Sequence, residues 1–286
     1  MGSKQARVRL GAGKEPKESM NAHFYIIDAR KWKRILFVSL AALLSLGIVW
    51  VEKEHISVFA PQEQTPSAVF SVPTDRKAVA LTFDISWGNK RAEPILEVLK
   101  SKNVGNATFF LSSVWAQSHP DIVRKIREAG FEIGSHGHRH ENYSQLEDDE
   151  IRRQISTAHR ILTELTGKPP NLIRLPNGDF DKRVLRIADE LGYRVIQWDT
   201  DSGDWKNPGV QTIIDRVVGG AHPGDIILLH ASDSVKQTHE ALPVIIDRLR
   251  EQGYEFVTVS QLLAQTETKG RAVEDRSAWT QLAAPF

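Results

Sequence analysis

Three histidines crowd into Gly-Ser-His-Gly-His-Arg-His, and His136 and His140 stand four positions apart. If a helical turn begins there, both imidazoles face one way, as a shared metal ion requires; the alternative is a solvated loop of surface histidines. His138 points elsewhere on the same geometry and is a neighbour rather than a ligand. Asp84 follows the apolar run Ala-Val-Ala-Leu-Thr-Phe, where it either caps the next loop or is a working carboxylate. His230 ends Ile-Ile-Leu-Leu in the same way, as a satisfied core histidine or as an acid–base group. In Trp-Asp-Thr-Asp-Ser-Gly-Asp-Trp, Asp199, Asp201 and Asp204 crowd between Trp198 and Trp205. That pattern suits Asx turns. It equally suits one Asp that orients and charges a histidine, beside a Trp walling a sugar-sized pocket. Arg174, in Arg-Leu-Pro-Asn-Gly, is an ordinary surface arginine or one aimed inward by a loop that Pro176 and Gly178 fix.

The chain has no cysteine, which excludes thiolate metal sites, disulfides and Cys nucleophiles, so a catalytic metal must be held by His and carboxylate. Its 37 Lys and Arg nearly cancel 36 Asp and Glu across 286 residues, so no field of one sign argues for nucleic acid as a partner.

The candidate residues sit on a repeating frame. Between Ala78 and Leu263, short apolar runs alternate with longer amphipathic ones, the rhythm of βα units. Strands are expected over 78–83, 107–111, 131–134, 172–174, 194–198, 225–229 and 255–259. Helices are expected over 92–100 and 120–129, and over 148–165, where Ile151, Ile155, Ala158, Leu162 and Leu165 form one stripe that Gly167 and the following prolines stop. Such units wind into an open sheet or a closed barrel, and both place active sites at the carboxyl ends of the strands. Asp84, His136, Arg174, Asp199, Asp201 and His230 all fall there. A ring of polar groups from so many strands favours the barrel.

Ahead of this domain, residues 35–51 are uncharged and follow Arg30, Lys31, Lys33 and Arg34. The run nearly spans the hydrocarbon layer, and its basic flank keeps the N-terminal side in the cytoplasm. The expected layout is a basic cytoplasmic segment (1–34), an uncleaved membrane anchor (35–51), a linker (52–76), a domain outside the cytoplasm (77–265) and a polar tail (266–286). A cleaved signal ending near Ala60 is the alternative, and Met20 is an alternative start.

Taken in order, Thr82-Phe83-Asp84, His136 to His140, Arg174-Leu-Pro-Asn-Gly178, Asp201-Ser-Gly-Asp204-Trp205 and Leu228-Leu229-His230 resemble the five motifs of polysaccharide deacetylases, the NodB-like carbohydrate esterases. The continuation Thr-Phe-Asp-Ile-Ser-Trp-Gly looks like the sporulation-associated, PdaB-like branch. The resemblance implies a distorted α/β barrel of seven or eight strands, and metal-assisted removal of N-acetyl groups from amino sugars of cell-wall glycan. It implies Asp84 as general base, His230 as acid, Arg174 as the group holding the base, and Asp204 as the carboxylate tuning the acid. It implies His136 and His140 as ligands of a divalent metal, zinc by preference, and Trp205 and Leu228 as walls of the acetyl pocket. Asn177 stands where the family often has Tyr, on a backbone that would donate to an oxyanion. Gly137 stands where Ser or Thr is common. The third metal ligand is expected to be an Asp, and this chain has Ile85. Retained acid–base residues point to an active deacetylase with an unusual metal site; Ile85 points to a glycan-binding or assembly protein on the same barrel. A glycosidase pairing Asp84 with Asp201 or Asp204 would leave the histidines and Arg174 idle.

Overall fold

A computed structural model describes residues 30–44 and 66–264. Two compact units divide the chain, 1–63 and 64–286.

In the first unit, residues 30–44 form helix α1, and Ile35, Leu36, Phe37, Val38, Leu40, Leu43 and Leu44 are all exposed on it. Among the described residues no helix is long and apolar enough to cross a membrane. The expected anchor continues over 45–51, outside the described residues, as do most of the linker and the polar tail.

The second unit opens with β1 (Ala68–Val69), β2 (Ala78–Ile85), α2 (Ala92–Ser101), β3 (Thr108–Leu111), α3 (Ser113–Ser118), α4 (Pro120–Glu128) and β4 (Glu132–Ser135). It continues through α5 (Asp148–Thr166), β5 (Leu172–Ile173), α6 (Lys182–Glu190), β6 (Arg194–Ile196) and β7 (Thr200–Asp201). It ends with α7 (Val210–Gly220), β8 (Asp225–His230), α8 (Thr238–Glu251), β9 (Glu255–Phe256) and α9 (Val259–Ala264). The expected strands and helices are present, most within two residues of the expected bounds. The short helix α3 escapes any periodicity argument; its start is fixed by Ser112, whose Oγ accepts the Trp115 N–H. On α5, Ile151, Ile155, Ala158 and Leu162 are buried as the stripe requires, and Gly167, at φ 75°, ends the helix.

The strands form one parallel sheet in the order β1-β6-β5-β4-β3-β2-β8-β7, with β9 also on β2. Every residue of β2 is buried, as befits a strand covered on both faces. Side chains alternate along it. Val79, Leu81, Phe83 and Ile85 enter the apolar layer that also holds Ile95 and Leu99 of α2 and Leu242 and Ile245 of α8. Thr82 and Asp84 take the opposite face. On β8, Leu228 and His230 pair with Thr82 and Asp84 and therefore share that face with them.

The sheet is curled rather than a regular closed barrel: no ladder joins β1 to β7 among the described residues. The expected fifth strand is shorter, 194–196, and a second short strand that the sequence did not suggest follows it. The first, β6, pairs with β5, while Asp199 N–H donates to the Ile226 carbonyl and β7 pairs with β8. Between them, the Gln197 N–H continues the β1–β6 pairing by donating to Val69 O, while its carbonyl accepts Arg174 Nη2.

Candidate active site

Asp84 stands near the end of β2, beside His230 at the end of β8. Its Oδ1 accepts a 3.0 Å hydrogen bond from Arg174 Nη1, and its Oδ2 lies 3.9 Å from His136 Nε2. Arg174 follows β5 and is fully buried. The same Nη1 donates to Thr82 Oγ1 at 2.7 Å, Nη2 donates to Gln197 O at 2.9 Å, and the guanidinium lies 4.4 Å from the Phe110 ring centre. A buried arginine held this way is a fixed positive charge aimed at one carboxylate. Burial pushes the Asp84 carboxyl up, but the charge of Arg174 first, with its hydrogen bond and the nearby histidines, outweighs it and holds the group below its ordinary value.

His136 follows β4, with its Nδ1 2.7 Å from the Arg174 carbonyl. That contact assigns the proton to Nδ1 and leaves the Nε2 lone pair free. Burial is the first cause pulling its pKa down to about 4, so the ring is neutral at physiological pH. His140 packs edge-on to it, ring centres 5.3 Å apart, and is likewise shifted down, first by burial. The two imidazoles meet as their spacing suggests, but not through a helical turn. Residues 136–140 form a loop instead, turned at Gly137 with φ 73°. A Cβ at Gly137 would stand 2.2 Å from the hydroxyl of buried Tyr143, which itself accepts the His138 N–H. Tyr143 thus fills the space where a residue 137 side chain would lie. His138 turns to Ser113, its Nδ1 2.8 Å from Oγ.

The acid side is built from one carboxylate. Asp204 is fully buried; Oδ1 lies 2.7 Å from His230 Nδ1, while Oδ2 accepts the His230 N–H at 2.8 Å and the Thr238 hydroxyl at 2.7 Å. Burial lowers the proton affinity of His230, but the hydrogen bond and charge of Asp204 win, and its pKa rises above the ordinary 6.5. Asp201 instead accepts the Gly203 N–H, an Asx turn. Asp199 binds Ser71 and His222, and the sequence offered no reason to separate it from its neighbours.

Leu228 is buried two residues before His230 on the shared face, and Trp205 is 51% exposed beside Asp204. Asn177 is exposed at φ 57° and donates to Asn142. Thr82, Gln197 and Thr238 were not foreseen. Thr82 alone left a sequence signal, standing two residues before Asp84 and so on its face.

The zinc that the motifs imply calls for three protein donors. His136 keeps its Nε2 open next to the His140 ring, but Ile85 lies in the apolar layer and His138 is engaged elsewhere. Among the described residues no group of three His, Cys, Asp or Glu side chains converges to hold a metal. The residues present do not fit a three-donor site.

Residues 71–196 match the family described as polysaccharide deacetylase. A peptidoglycan-N-acetylglucosamine deacetylase of Bacillus cereus is 36% identical over 202 residues, which cover 70% of this chain and 73% of that protein. The peptidoglycan-N-acetylmuramic acid deacetylase PdaC of Bacillus subtilis is 34% identical over 73% of this chain, and the match spans 42% of PdaC. A solved structure of a CE4 family pseudoenzyme from Bacillus anthracis is 35% identical, with a TM-score of 0.65 and 69% of each chain covered.

Proposed function

Because this chain belongs to the polysaccharide deacetylase family, we propose that it hydrolyses the acetamide of N-acetylated amino sugars in peptidoglycan, releasing acetate. The observation that carries this reading is the placement of Asp84 and His230 side by side on paired strands, each fixed by its own opposite charge, Arg174 and Asp204.

The roles follow from which atoms are occupied. Arg174 holds Oδ1 of Asp84, so Oδ2 is the atom left to take a proton from a water molecule attacking the acetyl carbon. Asp204 holds Nδ1 of His230, so the proton delivered to the departing nitrogen comes from Nε2. The C–N bond breaks, the sugar leaves as an amine and acetate as the acid product. Asp84 then returns its proton to solvent and His230 regains one. Leu228 and Trp205 wall the acetyl group, and the backbone at Asn177 is the candidate oxyanion donor. An ion held by His136 and His140 alone lacks an anionic donor and would bind weakly, so the metal half of this site is atypical.

Acetate release from peptidoglycan or chitooligosaccharide, abolished in Asp84→Asn and His230→Ala, tests the reading. No turnover on any wall glycan with zinc or cobalt supplied refutes it. The burial of Ile85 favours a second reading, a glycan-binding or assembly protein, which requires glycan binding that survives Asp84→Asn without acetate release.

We also propose that residues 35–51 anchor the chain with its domain outside the cytoplasm. The exposed apolar side chains of α1 behind a basic flank support this, and loss of membrane fractionation on deleting 35–51 is the check. A role in sporulation rests on the Thr-Phe-Asp-Ile-Ser-Trp-Gly segment, and unchanged acetylation of spore cortex in a deletion strain would refute it.

A further inference from the structure

Two large aromatic side chains stay exposed next to the site, Trp87 at 45% and Trp205 at 51%. Trp87 follows β2 and lies edge-on to His140, ring centres 5.0 Å apart. An exposed indole is usually free to change rotamer, but this one is pinned. Its Nε1 donates to Ser234 Oγ at 3.1 Å, and its carbonyl accepts the Asp233 N–H. The loop that carries it is tied down as well. The Asp233 carboxylate accepts the backbone N–H groups of Asn89, Lys90 and Arg91, Trp115 Nε1 donates to the Gly88 carbonyl, and Gly88 at φ 81° lies against the Asp233 side chain.

Ser234 serves the other tryptophan too. Its carbonyl accepts Asn207 Nδ2 at 3.0 Å, and Asn207 Oδ1 accepts the Lys236 N–H, which ties the turn bearing Trp205 to the same loop. Trp87 borders the histidine pair, Trp205 borders the Asp204–His230 pair, and the one loop fixes both. None of these bonds involves Asp84, Arg174 or His230.

We propose that Trp87 is a substrate-binding residue, a preset aromatic platform on which a sugar ring of the glycan stacks its apolar C–H face beside the residue being deacetylated. The assignment rests on the deacetylase reading and extends it from the reacting sugar to its neighbour. A ring held rigid before substrate arrives loses little conformational entropy on binding, and a large aromatic face with its polar edge already satisfied gains most from covering apolar surface.

The test compares Trp87→Ala, Trp87→Phe and Ser234→Ala in the full chain, using N-acetylglucosamine and its tetramer as probes, with KM and kcat from acetate release and tetramer affinity measured on an Asp84→Asn background. Loss of the stacking contact in Trp87→Ala should raise KM and weaken tetramer binding roughly tenfold, while KM for the monomer moves less than about twofold. Trp87→Phe should recover most of the tetramer affinity. Ser234→Ala, which keeps the indole and removes its pin, should fall between Trp87→Ala and the wild type. Equal losses on monomer and tetramer, carried by kcat, would mean that Trp87 only orients His140 and would overturn the proposal. So would unchanged tetramer affinity in Trp87→Ala. A wild-type chain that neither binds nor deacetylates any amino-sugar oligomer would overturn the deacetylase reading itself, and this assignment with it.

Discussion

Replacing Arg174 by Met tests the structure most sharply, because the guanidinium is buried, unbranched in its route inward, and directed at one charge. Met fills much of the same volume without donors. The change removes the hydrogen bonds to Asp84, Thr82 and Gln197 O and leaves Asp84 buried without its main counter-charge. Stranding one partner of a buried ion pair costs about 3–5 kcal/mol, a large part of the ~5–15 kcal/mol that holds a domain together. For a domain of this size that corresponds to a fall in Tm of roughly 10 °C at pH 7. The pH dependence has a definite sign. In the wild type Asp84 titrates below its ordinary value, so its contribution to stability is present above the unfolded-state pKa and is lost as pH falls through the folded-state one. Without Arg174, burial prevails and the folded pKa rises above the unfolded one, so protonation relieves the cost and the Tm gap narrows in acid. The acidic limb of activity should move upward for the same reason. Thermal unfolding at pH 7 and at about pH 4, with a pH–rate profile, reads all three effects. A Tm at pH 7 within about 2 °C of wild type, or an acidic limb that does not move, would refute the view that Arg174 holds Asp84 ionised.

Asp204→Asn removes the charge that raises the His230 pKa, so the basic limb of activity should drop below the ordinary histidine value, with kcat falling about 100-fold or more; an unmoved basic limb would show that His230 is not the acid. Ile85→Asp places a carboxylate in the apolar layer, because residue 85 alternates away from Asp84. It should cost about 3 kcal/mol or more without conferring one zinc per chain, as metal analysis and melting would show. A variant of wild-type Tm that retains stoichiometric zinc would mean that residue 85 can swing to the mouth. Gly137→Ser should be destabilised by the clash with Tyr143, and Tyr143→Phe should not rescue it fully, since the positive φ remains strained.

The frame was legible because its signals are local. Buried runs such as Ala78–Ile85, the stripe of α5 and its Gly167 stop are written in neighbouring residues. The end of β6 was not, because the carbonyl of Gln197 is taken by Arg174 from another part of the chain. The histidine pair shows how a right association can arise from a wrong geometry: spacing suggested a helical turn, whereas Gly137 and Tyr143 shape a loop that brings the rings together. Residue types alone left Asp84, Arg174 and His230 ambiguous, because their partners, Arg174 on Asp84 and Asp204 on His230, come from distant parts of the chain. Thr238 could not be found at all, since nothing near it in sequence marks a partner for Asp204.

The pairing of β2 with β8 has a consequence for how the molecule comes into being. Asp84 and His230 come from opposite ends of the domain, so they cannot meet until β8 has been made. A nascent chain that stops before Asp225 carries Asp84, Arg174 and both paired histidines, yet β2, buried along its whole length, still has one long edge unmatched. Such distant pairing is slow to form and leaves a sticky intermediate while it waits. Pairing of β8 therefore matches the second long edge of β2 and brings His230 beside Asp84 in one step, and a chain that lacks β8 has neither.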